Sequence, residues 1–469
     1  MTPPEVSILV AAYNRAHTLR RCLDSILMQN HPSKEIILVD DGSTDSTAQL
    51  AASYGDSVAY HPVEHQGPAS ARNAALARSR GQWIAFLDSD DYYLYPDVLA
   101  DHLRRFAEEP ALDAVSAGWQ IVDRDGKPLA DVRPWEQAPV FDLKSFLTWK
   151  PAYLGAKMFR RGILERVGGL DPSFEAAVDT DLILRILLAG GKFGWLPRIV
   201  YAYRQSPDAM MANAPRQARY LRSAIERTFA ADNLPASVRD ARDEIRYATE
   251  IWLAWYLWSR DYHSEASEAL ARARPRHRER PFVQLKNWRR AFQQFESAGG
   301  SPAVHPEEFL SIALPAFSLA EEPQRLLHSA FLWWWRVWRF YSGEAGGAGA
   351  DPPVLRATST RELVKSAQLC LSTEAEPLPP DAVDRFWRDA VDQGTAASAE
   401  RAMVVTLHLT GFVRMVYAKR PGGAAAFLGK ALAASRSPAA AGSWFRFFRS
   451  ALSYWMPGGR RRRAQDDAP

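Results

Sequence analysis

The first hundred residues alternate between short β-branched apolar runs and stretches in which apolar positions recur every three or four residues. That is the pattern of βα units and a mostly parallel sheet. Val6 to Ala11 reads as the first strand. Leu19, Cys22, Leu23, Ile26 and Leu27 then repeat at helical spacing, and His31-Pro32 ends that helix. Ile36 to Val39 is a second strand, followed by the turn Asp40-Asp41-Gly42-Ser43 and a helix through Leu50 that Asp45 caps. Val58 to Tyr60 is a third strand. Gly67-Pro68 opens another helix, and Trp83 to Leu87 is an apolar strand that runs into Asp88-Ser89-Asp90-Asp91.

Further strands are expected at Ala114 to Val122 and Gly155 to Phe159, with an amphipathic helix from Asp179 to Ala189. The alternation stops near Ser206 to Pro215, and helical patterns follow with almost no strand signal. The expected organisation is an α/β domain over residues 1–210, a helical region over 211–300, and a helical C-terminal region over 301–469 that carries Trp/Arg-rich segments.

Composition narrows this picture. A chain of 469 residues is long enough for two to four domains, and 47% hydrophobic with 24% charged residues is globular. Cys22 and Cys370 are too few for a disulfide framework, and every long apolar run meets a charge before about 18 residues. No basic segment precedes an apolar one at the start, so the active part is expected in the cytoplasm. Residues 1–205 carry a net charge of −4 and the remainder +8. The acidic half argues against a nucleic-acid partner, whereas the basic half suits phosphate or anionic lipid.

In an open parallel sheet, ligands bind where strands end at their carboxyl edge, because loops and helix N-termini there present free N–H groups. Ala11 to Asn14, Asp40 to Ser43, Gly67 to Asn73 and Asp88 to Asp91 all fall at such ends. One cleft would collect several carboxylates on one wall and Arg72 on another, with Asp45 nearby. Carboxylates gathered without matching cations repel unless a hard cation joins them, and Mg²⁺ or Mn²⁺ on a diphosphate is the usual resolution. Asp-x-Asp alone is a weak signal, since it recurs at Asp123/Asp125, which reads as a hairpin turn, and at Asp179/Asp181.

The segments VSILVAAYN, EIILVDDGSTDST, GPASARNAAL, IAFLDSDD and AVDTDLILRI follow one another over residues 5 to 205. Together they resemble the successive motifs of family 2 glycosyltransferases of the GT-A fold. The resemblance implies transfer of a sugar from a nucleoside diphosphate sugar to a hydroxyl acceptor, lipid-linked or glycan, with inversion and with Mn²⁺ or Mg²⁺. It implies that Asp41 binds the nucleotide base with Arg72 alongside, while Ala11, Tyr13 and Asn14 close over base and ribose. Asp88 would lie near the ribose and metal, Ser89 would be among the nucleotide-sugar-binding residues, Asp90 would bind the metal, and Asp179 would be the catalytic base, with Asp181 the alternative. Two positions depart from the family pattern. Val178 precedes Asp179 where a Glu is usual, leaving Glu175 as a substitute, and Ser206 follows Tyr203-Arg204-Gln205 where a His is usual. These departures keep open a second reading, a decayed enzyme that serves as a binding or scaffold module.

In the helical half, Trp252, Trp255, Tyr256 and Trp258 with Tyr262, Ala266, Ala269 and Leu270 read as a helical hairpin. Trp333 to Trp338, and Trp444 to Arg463 with Arg460 to Arg463 at its end, interleave aromatics and arginines. Such segments suit either a Trp-rich core or a dimer face, or peripheral contact with an anionic membrane on its inner face. A Gln-x-x-Arg-Trp motif is absent after the base, which favours one sugar transferred per encounter.

Overall fold

A computed structural model describes residues 4–149, 153–205, 213–274, 281–299, 305–317, 324 and 331. Ser206, the run Trp333 to Trp338 and the segment Trp444 to Arg463 lie outside the described residues. The chain divides into two compact units, one of Met1–His277 with Phe292–Ala303, the other of Arg278–Ala291 with Val304–Pro469.

The first unit begins with β1 (Val6–Ala12), α1 (Leu19–Leu27), β2 (Lys34–Asp40), α2 (Thr47–Ala52), β3 (Ala59–Pro62), α3 (Pro68–Arg78) and β4 (Trp83–Asp88). It continues through β5 (Tyr92–Tyr93), α4 (Val98–Glu108), β6 (Ala114–Val122), β7 (Pro128–Val132), α5 (Pro134–Gln137), α6 (Leu143–Trp149), β8 (Lys157–Arg160), α7 (Arg161–Arg166), α8 (Val178–Leu188) and β9 (Phe193–Arg204). The nine strands form one sheet in the order β3-β2-β1-β4-β8-β6-β9-β5, with β7 paired to β6. β1 runs parallel to β2 and β4, and β2 to β3, so Ala12, Asp40 and Asp88 end near one edge. β8 then runs antiparallel to both β4 and β6, and β9 runs parallel to β6.

The apolar runs behave as parallel strands covered on both faces should. Val6, Ile8, Val10, Leu38, Val39, Ile84 and Phe86 have no exposed surface, and Leu19, Cys22, Leu23 and Ile26 of α1 pack into the same core as Val6, Ile8, Val10 and Leu38. The third strand begins at Ala59 and extends to Pro62, slightly later than its apolar run. Asp45 is not the cap residue of α2: that position is Ser46, while Asp45 Oδ1 accepts the Thr47 N–H at 2.9 Å. Asp123 does make the hairpin turn between β6 and β7, accepting the Gly126 N–H on its carbonyl at 3.0 Å.

The pattern hides β5, β7 and most of β9. β9 holds Pro197, and its register against β6 jumps from Ser116↔Trp195 to Gly118↔Ile199. A proline cannot donate to the ladder, so the strand bulges around it and loses its regular alternation.

Helices α9 (Ala214–Phe229), α10 (Ala236–Asp240), α11 (Arg242–Trp258) and α12 (His263–Ala273) complete the described part of the first unit ahead of residue 277. Asp181 of α8 accepts from Arg227 of α9 at 3.3 Å, and Glu250 of α11 takes a two-point bond from Arg222 of α9 at 2.9 and 2.8 Å. α11 and α12 form the expected hairpin, with Ala266, Ala269 and Leu270 fully buried and Asp261 at φ 65° in the turn. In the second unit, Trp288 stacks on Phe317 and Phe309 on Phe331, each pair 5.2 Å apart between ring centres. Among the described residues no helix is long and apolar enough to cross a membrane.

Candidate active site

A cleft of about 710 Å³ opens at the carboxyl ends of β1, β2 and β4. Ala11, Tyr13, Asn14, Asp41, Arg72, Asp88, Ser89, Asp90 and Asp179 all line it, whereas Asp45 and Asp181, also considered from the sequence, do not.

Asp41, buried at the end of β2, accepts the N–H groups of Gln66 at Oδ1 and of Gly67 at Oδ2, both at 2.9 Å. Gly67 has φ +90°, a conformation that favours glycine, and Pro68 begins α3 directly after it. The carboxylate therefore fixes the entry into α3, the helix that carries Arg72. His65 Nδ1 lies 2.9 Å from Asp41 Oδ2, and the His65 ring stacks on the exposed Tyr13 ring at 4.3 Å. Asn14 sits at φ 53°, and its Oδ1 accepts the Thr44 N–H at 2.8 Å, which ties the loop after β1 to the loop after β2.

The acidic turn after β4 is more evenly balanced than the sequence reading supposed. Arg72 does not stand on a separate wall; it is ion-paired with Asp88. Arg15 Nε lies 3.7 Å from Asp90 Oδ2. Asp91 Oδ1 accepts the Arg204 backbone N–H at 2.8 Å, while Arg204 Nε donates to the Asp90 carbonyl at 2.9 Å. Matching cations are thus present, brought by α3, by the loop after β1 and by the end of β9. Burial and the Asp88 charge still push the Asp90 carboxyl up, against the pull of Arg15.

Asp179 lies in the first turn of α8, just after Ala177, which adopts φ 54°. Burial raises its carboxyl to about 6, opposed by the Thr180 N–H bond and by the charges of Lys157 and Arg72. Asp181 does not share its setting. It is 2% exposed, accepts from Arg185 Nε at 2.8 Å, and does not line the cleft. Glu175 does line the cleft, but it is exposed and pairs with Arg216 at 3.8 Å. Sequence reasoning missed Arg15, His65 and Lys157, each isolated in its own segment and recognisable only once the fold gathers them, and it noted Arg204 only as part of Tyr203-Arg204-Gln205.

Among the described residues no group of three or more His, Cys, Asp and Glu side chains is arranged to hold a metal ion. The chemistry of the donor set still fits one. Mg²⁺ and Mn²⁺ are commonly held by one or two carboxylates together with substrate phosphates rather than by an all-protein cage. Asp88 and Asp90 supply that pair of hard oxygen donors, and a cation between them would relieve the repulsion that raises Asp90.

Residues 7–168 match the family model described as Glycosyl transferase family 2. The chain is 35% identical to the chondroitin synthase of Pasteurella multocida strain Pm70 over 201 residues, which covers 42% of this chain and 20% of that protein. It is 33% identical over 219 residues to the succinoglycan biosynthesis protein ExoO of Rhizobium meliloti, covering 43% of this chain and 60% of that one. The chain thus spans only a fifth of the length of the synthase. A crystal structure of S. aureus TarS 1-349 in complex with UDP-GlcNAc superposes with a TM-score of 0.46 at 19% identity, over 69% of this chain and 86% of that one.

Proposed function

Because residues 7–168 match the glycosyl transferase family 2 model, we propose that the chain transfers a sugar from a nucleoside diphosphate sugar to a hydroxyl acceptor, inverting the anomeric centre. The observation that carries this reading is the single cleft that joins Asp41, Arg72, Asp88 and Asp90 at the sheet edge to Asp179 on α8. Tyr13, Asn14 and Asp41 hold the nucleoside, with Arg72 alongside, and Asp88 with Ser89 faces the ribose and diphosphate. Asp90, with Asp88, holds Mn²⁺ or Mg²⁺, which when bound supplies charge stabilisation for the departing diphosphate.

Asp179 accepts the proton of the acceptor hydroxyl as that oxygen forms its bond to the anomeric carbon and the bond to the diphosphate breaks. A carboxyl raised to about 6 is well matched to this task, being ionised at neutral pH yet more basic than an ordinary aspartate. One displacement of this kind inverts the centre.

The acceptor is a glycan or a lipid-linked precursor of the cell envelope or of a polysaccharide, a reading supported by the names of the relatives, a chondroitin synthase and a succinoglycan biosynthesis protein. Contact with an anionic membrane through Trp444 to Arg463 rests on interleaved aromatics and arginines in that segment. Flotation with anionic vesicles tests it: a chain cut before Ser443 that stays folded and floats as well as the full chain would refute it. Incubating the full chain with a panel of nucleotide sugars, with Mn²⁺ and with chelator, tests the activity. Neither hydrolysis nor binding of any donor would favour the scaffold reading instead.

A further inference from the structure

Among the described residues four arginines line the cleft, Arg15, Arg72, Arg204 and Arg216, and the first three are engaged around the acidic turn after β4. Arg72 is ion-paired with Asp88, and Arg204 Nε donates to the Asp90 carbonyl at 2.9 Å. Arg15 Nε lies 3.7 Å from Asp90 Oδ2, and its Nη1 donates to the Asn14 carbonyl at 3.3 Å. Arg216 differs. Its Nε is buried and has no hydrogen-bond partner among the described residues, and the carboxylate it faces, Glu175, stands 3.8 Å from Nη1, beyond hydrogen-bond reach. Glu175 is itself exposed, so the pair is loose and screened by solvent. A guanidinium is a rigid fork of N–H donors that stays charged in proteins, and one with a buried donor unused at a cavity wall favours an oxyanion.

The fold fixes where this guanidinium stands. Arg216 lies in the first turn of α9, where Asn213 Oδ1 accepts its backbone N–H at 3.0 Å. Further along the same helix, Arg227 bonds Asp171 at 2.8 Å and Asp181 at 3.3 Å and lies over the Phe174 ring at 4.6 Å. These contacts tie α9 to both flanks of the stretch from Pro172 to Asp179, which lines the cleft and ends in the proposed base. An acceptor must bring its hydroxyl to Asp179, so the rest of it lies along a wall that Arg216 shares. We propose that the acceptor carries an anionic group, a phosphate ester or a carboxylate, and that Arg216 binds it while a hydroxyl of the same molecule faces Asp179. The proposal deepens the proposed function and rests on Asp179 being the base. Glu175 competes for the guanidinium, and it yields to an anion that makes the direct bonds its own carboxylate is too distant to make.

The test sets matched probes against the full chain: methyl glucuronide with methyl glucoside for a carboxylate, and glycerol 3-phosphate with glycerol for a phosphate ester. Ligand-observed NMR titrations are run with Mn²⁺ and UDP or GDP present, so that the nucleotide takes the donor end. One anionic probe should bind about tenfold more tightly than its neutral counterpart, and which of them does so identifies the class. Arg216→Gln should erase that preference while nucleotide affinity stays within twofold, and Arg216→Lys, which keeps the charge, should retain part of it. Glu175→Gln, which removes the competitor, should tighten the anion by about two- to threefold. Where transfer is measurable, Arg216→Gln should raise KM for the anionic acceptor and leave kcat in place. Anions that bind no better than their neutral counterparts, or a preference that survives in Arg216→Gln, overturn the proposal. A loss of nucleotide affinity in Arg216→Gln overturns it as well, because the guanidinium then serves the donor. A charge preference that depends on Arg216 in a protein that neither hydrolyses nor transfers a sugar leaves the anion site standing and removes the transfer reading.

Discussion

The Asp41 carboxylate, just past the end of β2, accepts the backbone N–H of Gly67, just before α3, across 2.9 Å. With the matching bond from Gln66 it leaves neither of these N–H groups to water. A residue expected to read the nucleotide base is thus also the clamp that sets the first turn of the helix carrying Arg72.

Asp41→Ala should destabilise the first unit by about 1–3 kcal/mol, the usual cost of stranding buried polar groups. Asp41→Asn, which keeps one acceptor oxygen, should lose roughly half as much. Urea unfolding compares the two, and equal stability of wild type and Asp41→Ala would show that the loop finds other partners.

Asp179→Asn keeps the shape of the side chain but takes no proton at neutral pH. Sugar transfer should fall by about 10²-fold or more, with donor affinity retained. In the wild type, transfer should decline as pH falls through about 6, because the base must be unprotonated. Normal transfer by Asp179→Asn alongside an inactive Asp181→Asn would move the assignment to the other carboxylate.

The same raised carboxyl makes a statement about stability. Its folded value of about 6 lies above the ordinary 3.8, so the contribution it makes to stability is full below 3.8 and is lost as pH rises through about 6. Asp179→Asn should therefore gain melting temperature relative to wild type at pH 8 and show little gain at pH 4. Parallel melting curves across that range check the sign.

Asp90→Ala should abolish the metal dependence of nucleoside diphosphate binding together with turnover. Calorimetry with UDP and GDP, each in Mn²⁺ and in chelator, measures this. Affinities for both that are already equal in the wild type would mean that Arg15 and Arg72 neutralise the diphosphate unaided.

Arg222→Met should cost about 3 kcal/mol, because Glu250, 10% exposed, would keep its charge without a partner. The double variant Arg222→Met with Glu250→Met should recover most of the loss. A double variant no more stable than the single one would show that the pair holds α9 to α11 through geometry rather than charge.

The site was legible because its residues stand where apolar runs end. Strands such as Trp83 to Leu87 announce themselves by β-branched and aromatic content, and Asp88 to Asp90 follow at once. Of the cations that balance these carboxylates only Arg72 was legible, since no local spacing links the others: Arg15 and Asp90 are 75 residues apart. The absence of nearby basic residues in the sequence therefore implied an unbalanced acidic wall, and long-range pairing removed it. Strand β9 escaped notice for a local reason, since Pro197 interrupts the alternation by which a strand is recognised. Lys157 was passed over because a single lysine inside an apolar strand carries no pattern of its own.

Arg227 has a bearing on where this protein could be cut. It holds Asp171 at 2.8 Å and Asp181 at 3.3 Å, bracketing the segment that bears Asp179 from a helix that begins only at Ala214. A fragment ending at residue 168, where the family match stops, would keep the carboxylates after β4 and lose α8 altogether. One ending between β9 and α9 would retain Asp179 but leave Asp181 short of a partner beneath it. Since α9 is in turn pinned to α11 through Arg222 and Glu250, the shortest fragment that keeps these ion pairs runs on through α11, and any chimera that exchanges the segment bearing Asp179 would have to carry those helices along with it.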